Sequence, residues 1–345
     1  MKSQVCEVEP GKNIIVKSSW GKKKLADYHL DALKFCEFGC SYCSSNAGLH
    51  LQFKKRTLNE AVAEATGQPF DPHNARDLVI TYKELVEALQ NELSSHRRMH
   101  GAGQTLVYSQ LTDGFSPVLL KTGTARRILE LLITKTKYRI RVLTKNAIIG
   151  TPEWVDFFVE HADRFVVGLS IGTLDNQFSQ RMEWRTSRPE SRVKALHNLQ
   201  DAGVPTFGML CPVFPQVVET DELERLIESV RPEQCEHVWT ETYNDRTNWR
   251  HVRKCYDEGS SGWNWMTRVF AEKDMTVWSR YATELYVRIH KVAVRDGWTD
   301  KLRYLLYEDG ITAEDAKVFR GLEGLLLQCK PNAEGQSPNS SFVVA

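Results

Sequence analysis

The chain has 345 residues, 41% of them hydrophobic and 26% charged, with a formal net charge of +1 at pH 7. That length holds one large α/β barrel or two ordinary domains, and no apolar run approaches the roughly 18 residues of a membrane span. The near-zero charge excludes a global electrostatic attraction to nucleic acid, leaving local basic clusters such as Lys54-Lys55-Arg56, His96-Arg97-Arg98 and residues 135–141.

The first ten residues carry no apolar stretch behind Lys2, so no secretory signal is read and a soluble, cytoplasmic protein is expected. An N-terminal segment, 1–30, precedes a loop in which Cys36, Cys40 and Cys43 crowd together, while Cys6, Cys211, Cys235, Cys255 and Cys329 are scattered. In a reducing compartment that crowding points to metal binding rather than a disulfide framework. Residues 44–77 are polar and read as an irregular insertion, and Leu78 through Leu93 read as helix-like. Gln104–Tyr108 reads as a short strand bounded by glycines.

From there the pattern alternates. Arg126–Leu132, Pro152–His161, Pro189–Ala202 and Asp221–Val230 read as helices; Tyr138–Leu143, Phe165–Ile171, Val204–Leu210 and Glu236–Thr240 read as strands. Strands alternating with helices of this length mark βαβ units around a parallel sheet. The expected fold is α/β, a partial (β/α)6-type TIM barrel over residues 31–245, with its active site at the loops after the strands. Residues 246–330 read as a helical, aromatic-rich C-terminal extension carrying Trp249, Trp263, Trp265, Trp278 and Trp298, and 331–345 as a disordered tail.

The cysteine loop spaces its thiols as C-x3-C-x2-C, with Gly39 easing the backbone. Iron–sulfur cubanes are usually held by four thiolates, so three leave one iron open to a substrate or cofactor. A structural zinc site remains an alternative, with His50 as a fourth ligand; so do three unrelated buried cysteines.

The pattern C-x3-C-x-aromatic-C, with Tyr42 before the last thiol, resembles the signature of the radical S-adenosylmethionine (SAM) superfamily. That resemblance implies a [4Fe–4S] cluster on Cys36, Cys40 and Cys43, and SAM bound at the unique iron. It also implies one-electron reduction by a flavodoxin- or ferredoxin-type donor, and a 5′-deoxyadenosyl radical that abstracts hydrogen from substrate.

Residues 30–245 resemble the spore photoproduct lyase branch of that superfamily. The stretch Ser109-Gln-Leu-Thr112-Asp113 is similar to the branch's Thr-Asp motif, and Thr144-Lys145 to its Thr-Lys motif. Ser170 and the segment holding Glu183 and Arg185 resemble stretches implied to meet the ribose and carboxylate of SAM, and Val213 is implied to pass the adenine. A surface Glu183–Arg185 pair is the structural alternative. Gln110 stands where the branch carries its hydrogen-donating cysteine, so Cys211 or Tyr108 is a candidate substitute.

The resemblance, the basic clusters and the interleaved aromatics and cations Tyr243, Arg246, Trp249 and Arg250 point to a base in nucleic acid, DNA foremost, as substrate for a lyase, isomerase or modifying reaction. A radical SAM enzyme of peptides or small metabolites, and a zinc-stabilised nucleic-acid-binding protein, stay open as alternatives.

Overall fold

The computed structural model describes residues 3–18, 24–46, 48–70, 78–95, 100–244, 247–319, 322 and 324–327. Its strands are β1 (Gln4–Val8), β2 (Val16–Lys17), β3 (Tyr28–Leu30), β4 (Leu33–Phe35), β5 (Leu78–Tyr82), β6 (Thr105–Tyr108), β7 (Arg139–Thr144), β8 (Phe165–Ser170), β9 (Thr206–Val213), β10 (Cys235–Thr242), β11 (Leu302–Leu306) and β12 (Leu325–Leu327). The helices are α1 (Leu49–Thr66), α2 (Leu85–Ser95), α3 (Pro117–Lys121), α4 (Thr124–Lys135), α5 (Pro152–Glu160), α6 (Asn176–Met182), α7 (Pro189–Asp201), α8 (Pro215–Val218), α9 (Glu222–Ser229), α10 (Trp249–Arg253), α11 (Ser261–Met266) and α12 (Met275–Asp296).

Nine strands form one sheet in the order β12-β11-β10-β9-β8-β7-β6-β3-β2. Every neighbouring pair from β3 to β12 is parallel, and β2 alone runs antiparallel. Among the described strands the order runs from one edge to the other without closing, which makes the architecture a partial barrel. Parallel strands are covered on both faces, so their sequences run nearly continuously apolar; all six residues of β8, Phe-Val-Val-Gly-Leu-Ser, are buried. Helices α3, α5, α7 and α8 each begin at a proline, whose missing N–H belongs to a group that has no partner in the first turn.

Four readings are corrected. Residues 44–77 are not irregular throughout: α1 spans eighteen of them, its Leu51, Leu58 and Val62 packing on Cys6, Phe35, Phe70, Leu78 and Ile80 in a second, smaller core. Leu78 to Leu93 is not one helix, because Leu-Val-Ile-Thr-Tyr pairs as β5 before α2 begins at Leu85. Residues 1–30 supply β1, parallel to β5 in a three-stranded sheet β1-β5-β4, and the edge strand β2 of the large sheet with its neighbour β3. Residues 246–330 are not only helical: α12 buries Trp278, Tyr281, Leu285, Tyr286 and Ile289, and the chain then re-enters the sheet as β11, parallel to β10.

Arg246, Cys329, the cluster 96–98 and the tail 331–345 lie outside the described residues. No helix among the described residues is long and apolar enough to cross a membrane.

Candidate active site

The cysteine loop leaves β4, so the small sheet fixes where it starts. Asn46 then folds back, its Nδ2 donating to the carbonyl of Cys36 at 2.6 Å. Gly39 takes a φ of +59°, and a Cβ there would lie 3.2 Å from the Cβ of Trp184. Glu37, buried between two ligand candidates, accepts from Ser116 Oγ at 2.7 Å and from the backbone N–H of Val118 at 3.0 Å, tying the loop to the start of α3. On the other side Cys40 bridges Glu183, and the N–H of Ser41 donates to the carbonyl of Met182 at 2.8 Å. The loop is therefore clamped between α3 and the end of α6.

Cys36, Cys40 and Cys43 line one cavity of about 560 Å³ at the C-terminal ends of the parallel strands. Tyr42, Thr112, Asp113, Lys145, Ser170, Cys211 and Tyr243 line it as well. Asp113 is buried, which pushes its carboxyl upward; against that, its oxygens accept from Lys145 N–H at 2.8 Å, Thr144 Oγ1 at 2.7 Å and Phe115 N–H at 2.9 Å. It thereby holds the end of β7 against the loop after β6. Thr112 donates to Asp31 Oδ1 at 3.1 Å, bracing that loop on the loop between β3 and β4.

A row of polar groups crosses the strand ends. Lys145 Nζ donates to Ser170 Oγ at 2.8 Å, and Ser170 Oγ donates to the carbonyl of Cys211 at 2.8 Å. The Cys211 thiol donates to Glu241 Oε2 at 3.5 Å, and the Tyr307 phenol donates to Glu241 Oε1 at 2.5 Å. The row thus runs over β7, β8, β9 and β10 to the residue just after β11.

Glu183 is 7% exposed and sits among donors: Arg192, Tyr42, Ser179 and Thr186. Burial works to raise its carboxyl, but the charges of Arg192 and Lys145 with these hydrogen bonds outweigh it and hold the group at about 2. The Glu183–Arg185 surface pair is therefore corrected: the partner is Arg192, 1% exposed on α7, and Arg185 turns to Ser3 Oγ at 2.9 Å and Glu37 Oε2 at 3.4 Å, away from the cavity lining.

The segment 32–230 matches the family model described as the Radical SAM superfamily. The chain belongs to the radical SAM superfamily. The "Uncharacterized protein ORF301" of Acidianus two-tailed virus is 21% identical over 227 residues, covering 66% of this chain and 69% of the viral one. Among solved structures, a spore photoproduct lyase double mutant with bound AdoMet and dinucleoside spore photoproduct aligns with a TM-score of 0.48 at 13% identity, over 74% of this chain and 66% of that one. Native anSMEcpe with bound AdoMet aligns with a TM-score of 0.44 at 12% identity, over 78% and 61%. The chain thus spans 66% of the length of the lyase that it matches.

Radical SAM enzymes use a [4Fe–4S] cluster and SAM, and the residues present fit both. Three soft thiols face one cavity, and burial pushes the Cys36 and Cys40 thiols up, so that ligation to iron, which removes the proton, is what makes them thiolates. Among the described residues no three Cys, His, Asp or Glu side chains converge on one ion. A cubane asks for less convergence, since each thiolate binds a different iron.

Other residues lie apart from the cavity. Tyr108 is fully buried in the core, donating to the carbonyl of Gly114 at 3.0 Å, and Val213 is packed likewise, while Met209, Cys211 and Pro212 of its strand reach the cavity; neither lines the site as expected. Trp249 is 7% exposed beneath the rings and cations of Phe270, Arg250 and Arg253, and neither it nor Arg250 is among the lining residues. Sequence reasoning missed Arg192, Trp239, Glu241, Trp278 and Tyr307. Only Trp278 had been singled out, as part of an extension and not as a wall of this cavity.

Proposed function

We propose that this radical SAM enzyme acts on a base in nucleic acid, DNA foremost, as a lyase, isomerase or modifying enzyme working in the cytoplasm with a flavodoxin- or ferredoxin-type electron donor. The observation that carries the reading is the one cavity that joins the three thiols to a wall containing Trp239, Trp278 and Tyr307. Flat bases dock on aromatic walls, and an enzyme that works on a base must take it out of the stack into such a pocket. The resemblance of the Ser109–Asp113 and Thr144–Lys145 stretches to the spore photoproduct lyase branch supports the same substrate class.

With a [4Fe–4S] cluster and SAM bound, the chemistry supplied is reductive cleavage of SAM and hydrogen abstraction by the 5′-deoxyadenosyl radical. In this reading Cys36, Cys40 and Cys43 hold the cluster. Lys145, fixed by Asp113 and Ser170, supplies the positive charge for the carboxylate of SAM. Tyr42, Thr112, Ser170 and Glu183 shape the rest of that end. Cys211, which lines the cavity, returns a hydrogen atom to the substrate radical, the task that Gln110 cannot perform, and the thiyl radical it leaves is restored to a thiol by one electron from the same donor and a proton.

The test is deuterium transfer from base-deuterated DNA into 5′-deoxyadenosine by anaerobically reconstituted protein. Transfer is the expected result, and Cys211→Ala keeps it while losing the native product. Lack of both binding and transfer over varied DNA and RNA overturns the nucleic-acid assignment.

A further inference from the structure

We infer that Glu241 selects the substrate: its carboxylate, on β10 and three strands along the sheet from the β7 end that carries Lys145, accepts a hydrogen bond from the exocyclic amino group of a nucleobase. This assignment rests on the nucleobase reading above and sharpens it. On β10, Trp239 and Glu241 are two residues apart and so share a face of the strand. The carboxylate is not loose, because Tyr307 and Cys211 donate to its two oxygens from the neighbouring strands.

Met209, Leu305 and Trp278 complete the surroundings, so a flat group entering there meets apolar walls and the fixed carboxylate of Glu241, with Asp309 as a second acidic residue in the lining. The one cation among the described lining residues, Lys145, is engaged with Ser170 at the cofactor end.

An anion that cannot donate discriminates among bases by their edges. Adenine, cytosine and guanine each carry an amino donor, and carboxylates pair with such a group in base recognition. Thymine offers carbonyl oxygens on both sides of its single ring N–H, and those oxygens repel a carboxylate.

The experiment is equilibrium dialysis of the reconstituted full chain against the four deoxynucleosides, with SAM binding measured in parallel. At least one amino-bearing nucleoside binds the wild type about tenfold or more tighter than thymidine, the range expected for a good carboxylate–amino contact. Glu241→Gln, whose amide still accepts from Tyr307 but carries its own donors, narrows that preference to within about twofold while SAM binding holds. Tyr307→Phe, which frees the carboxylate without removing it, gives an intermediate preference. Thymidine binding as tightly as the others, or a preference that Glu241→Gln leaves intact with SAM still bound, overturns the assignment and leaves the nucleobase reading standing. Failure of the wild type to bind any of the four overturns both.

Discussion

Glu183 stands nine positions from Arg192 in the chain and is buried with it, one at the end of α6 and the other on α7. A buried pair of this kind is costly to break, because the charge left behind has lost water as well as its partner. Glu183→Gln therefore destabilises the fold by about 3–5 kcal/mol at neutral pH, measured by denaturant unfolding of the two full chains. The folded carboxyl sits at about 2 against an ordinary 4.5, so the pair's contribution is complete above the ordinary value and is lost as pH falls through about 2. The gap between wild type and variant shrinks over that window; a gap constant to pH 2.5 contradicts the account.

That Cys36, Cys40, Cys43 and Lys145 meet at one cavity was legible at this scale because their signal is local, a fixed spacing or a strand end. Arg192 was not. Nothing in a sequence separates an arginine that solvates a helix from one whose helix the fold turns inward onto a carboxylate.

Among elements, the chain just past β8 approaches the end of β9 closely. Gly172, two residues past β8, leaves no room for a side chain: a Cβ there would lie 2.1 Å from the carbonyl oxygen of Pro212. Backbone cannot swing aside as a long side chain can, so Gly172→Ala pushes the end of β9, and Cys211 with it, out of the row of strand ends. The expected outcome is a lower melting temperature together with SAM affinity reduced at least about tenfold, a loss of about 1.4 kcal/mol, measured by thermal unfolding and equilibrium dialysis. An unchanged affinity contradicts the close packing.

The alternating strands and helices from β6 to β10 could be read from periodicity because each strand is an apolar run bounded by turn residues. Three elements could not. The apolar face of α1 is sparse, with Leu58 and Val62 set among charged residues. Only Lys83 and Glu84 separate β5 from α2, so strand and helix merged into one apolar stretch. The third, β11, is a five-residue strand behind a tryptophan-rich helical region, and missing it removed Tyr307 from view and with it the partner of Glu241.

For the molecule as a whole, the parallel sheet gathers residues from the N-terminal third to Tyr307 at one end, which is why a site spread over more than 250 positions forms a single cavity. The fold class and the cofactors were legible from the cysteine spacing and the strand–helix rhythm. The substrate end was not, since it depends on a late return of the chain to the sheet. Everything proposed for that end presupposes a cluster on Cys36, Cys40 and Cys43. The direct measurement is iron content and SAM cleavage after anaerobic reconstitution, in wild type and in the variant with all three cysteines changed to alanine. The account predicts about four irons per chain and 5′-deoxyadenosine on reduction in the wild type, with neither in the variant; stoichiometric zinc with no cleavage of SAM contradicts it.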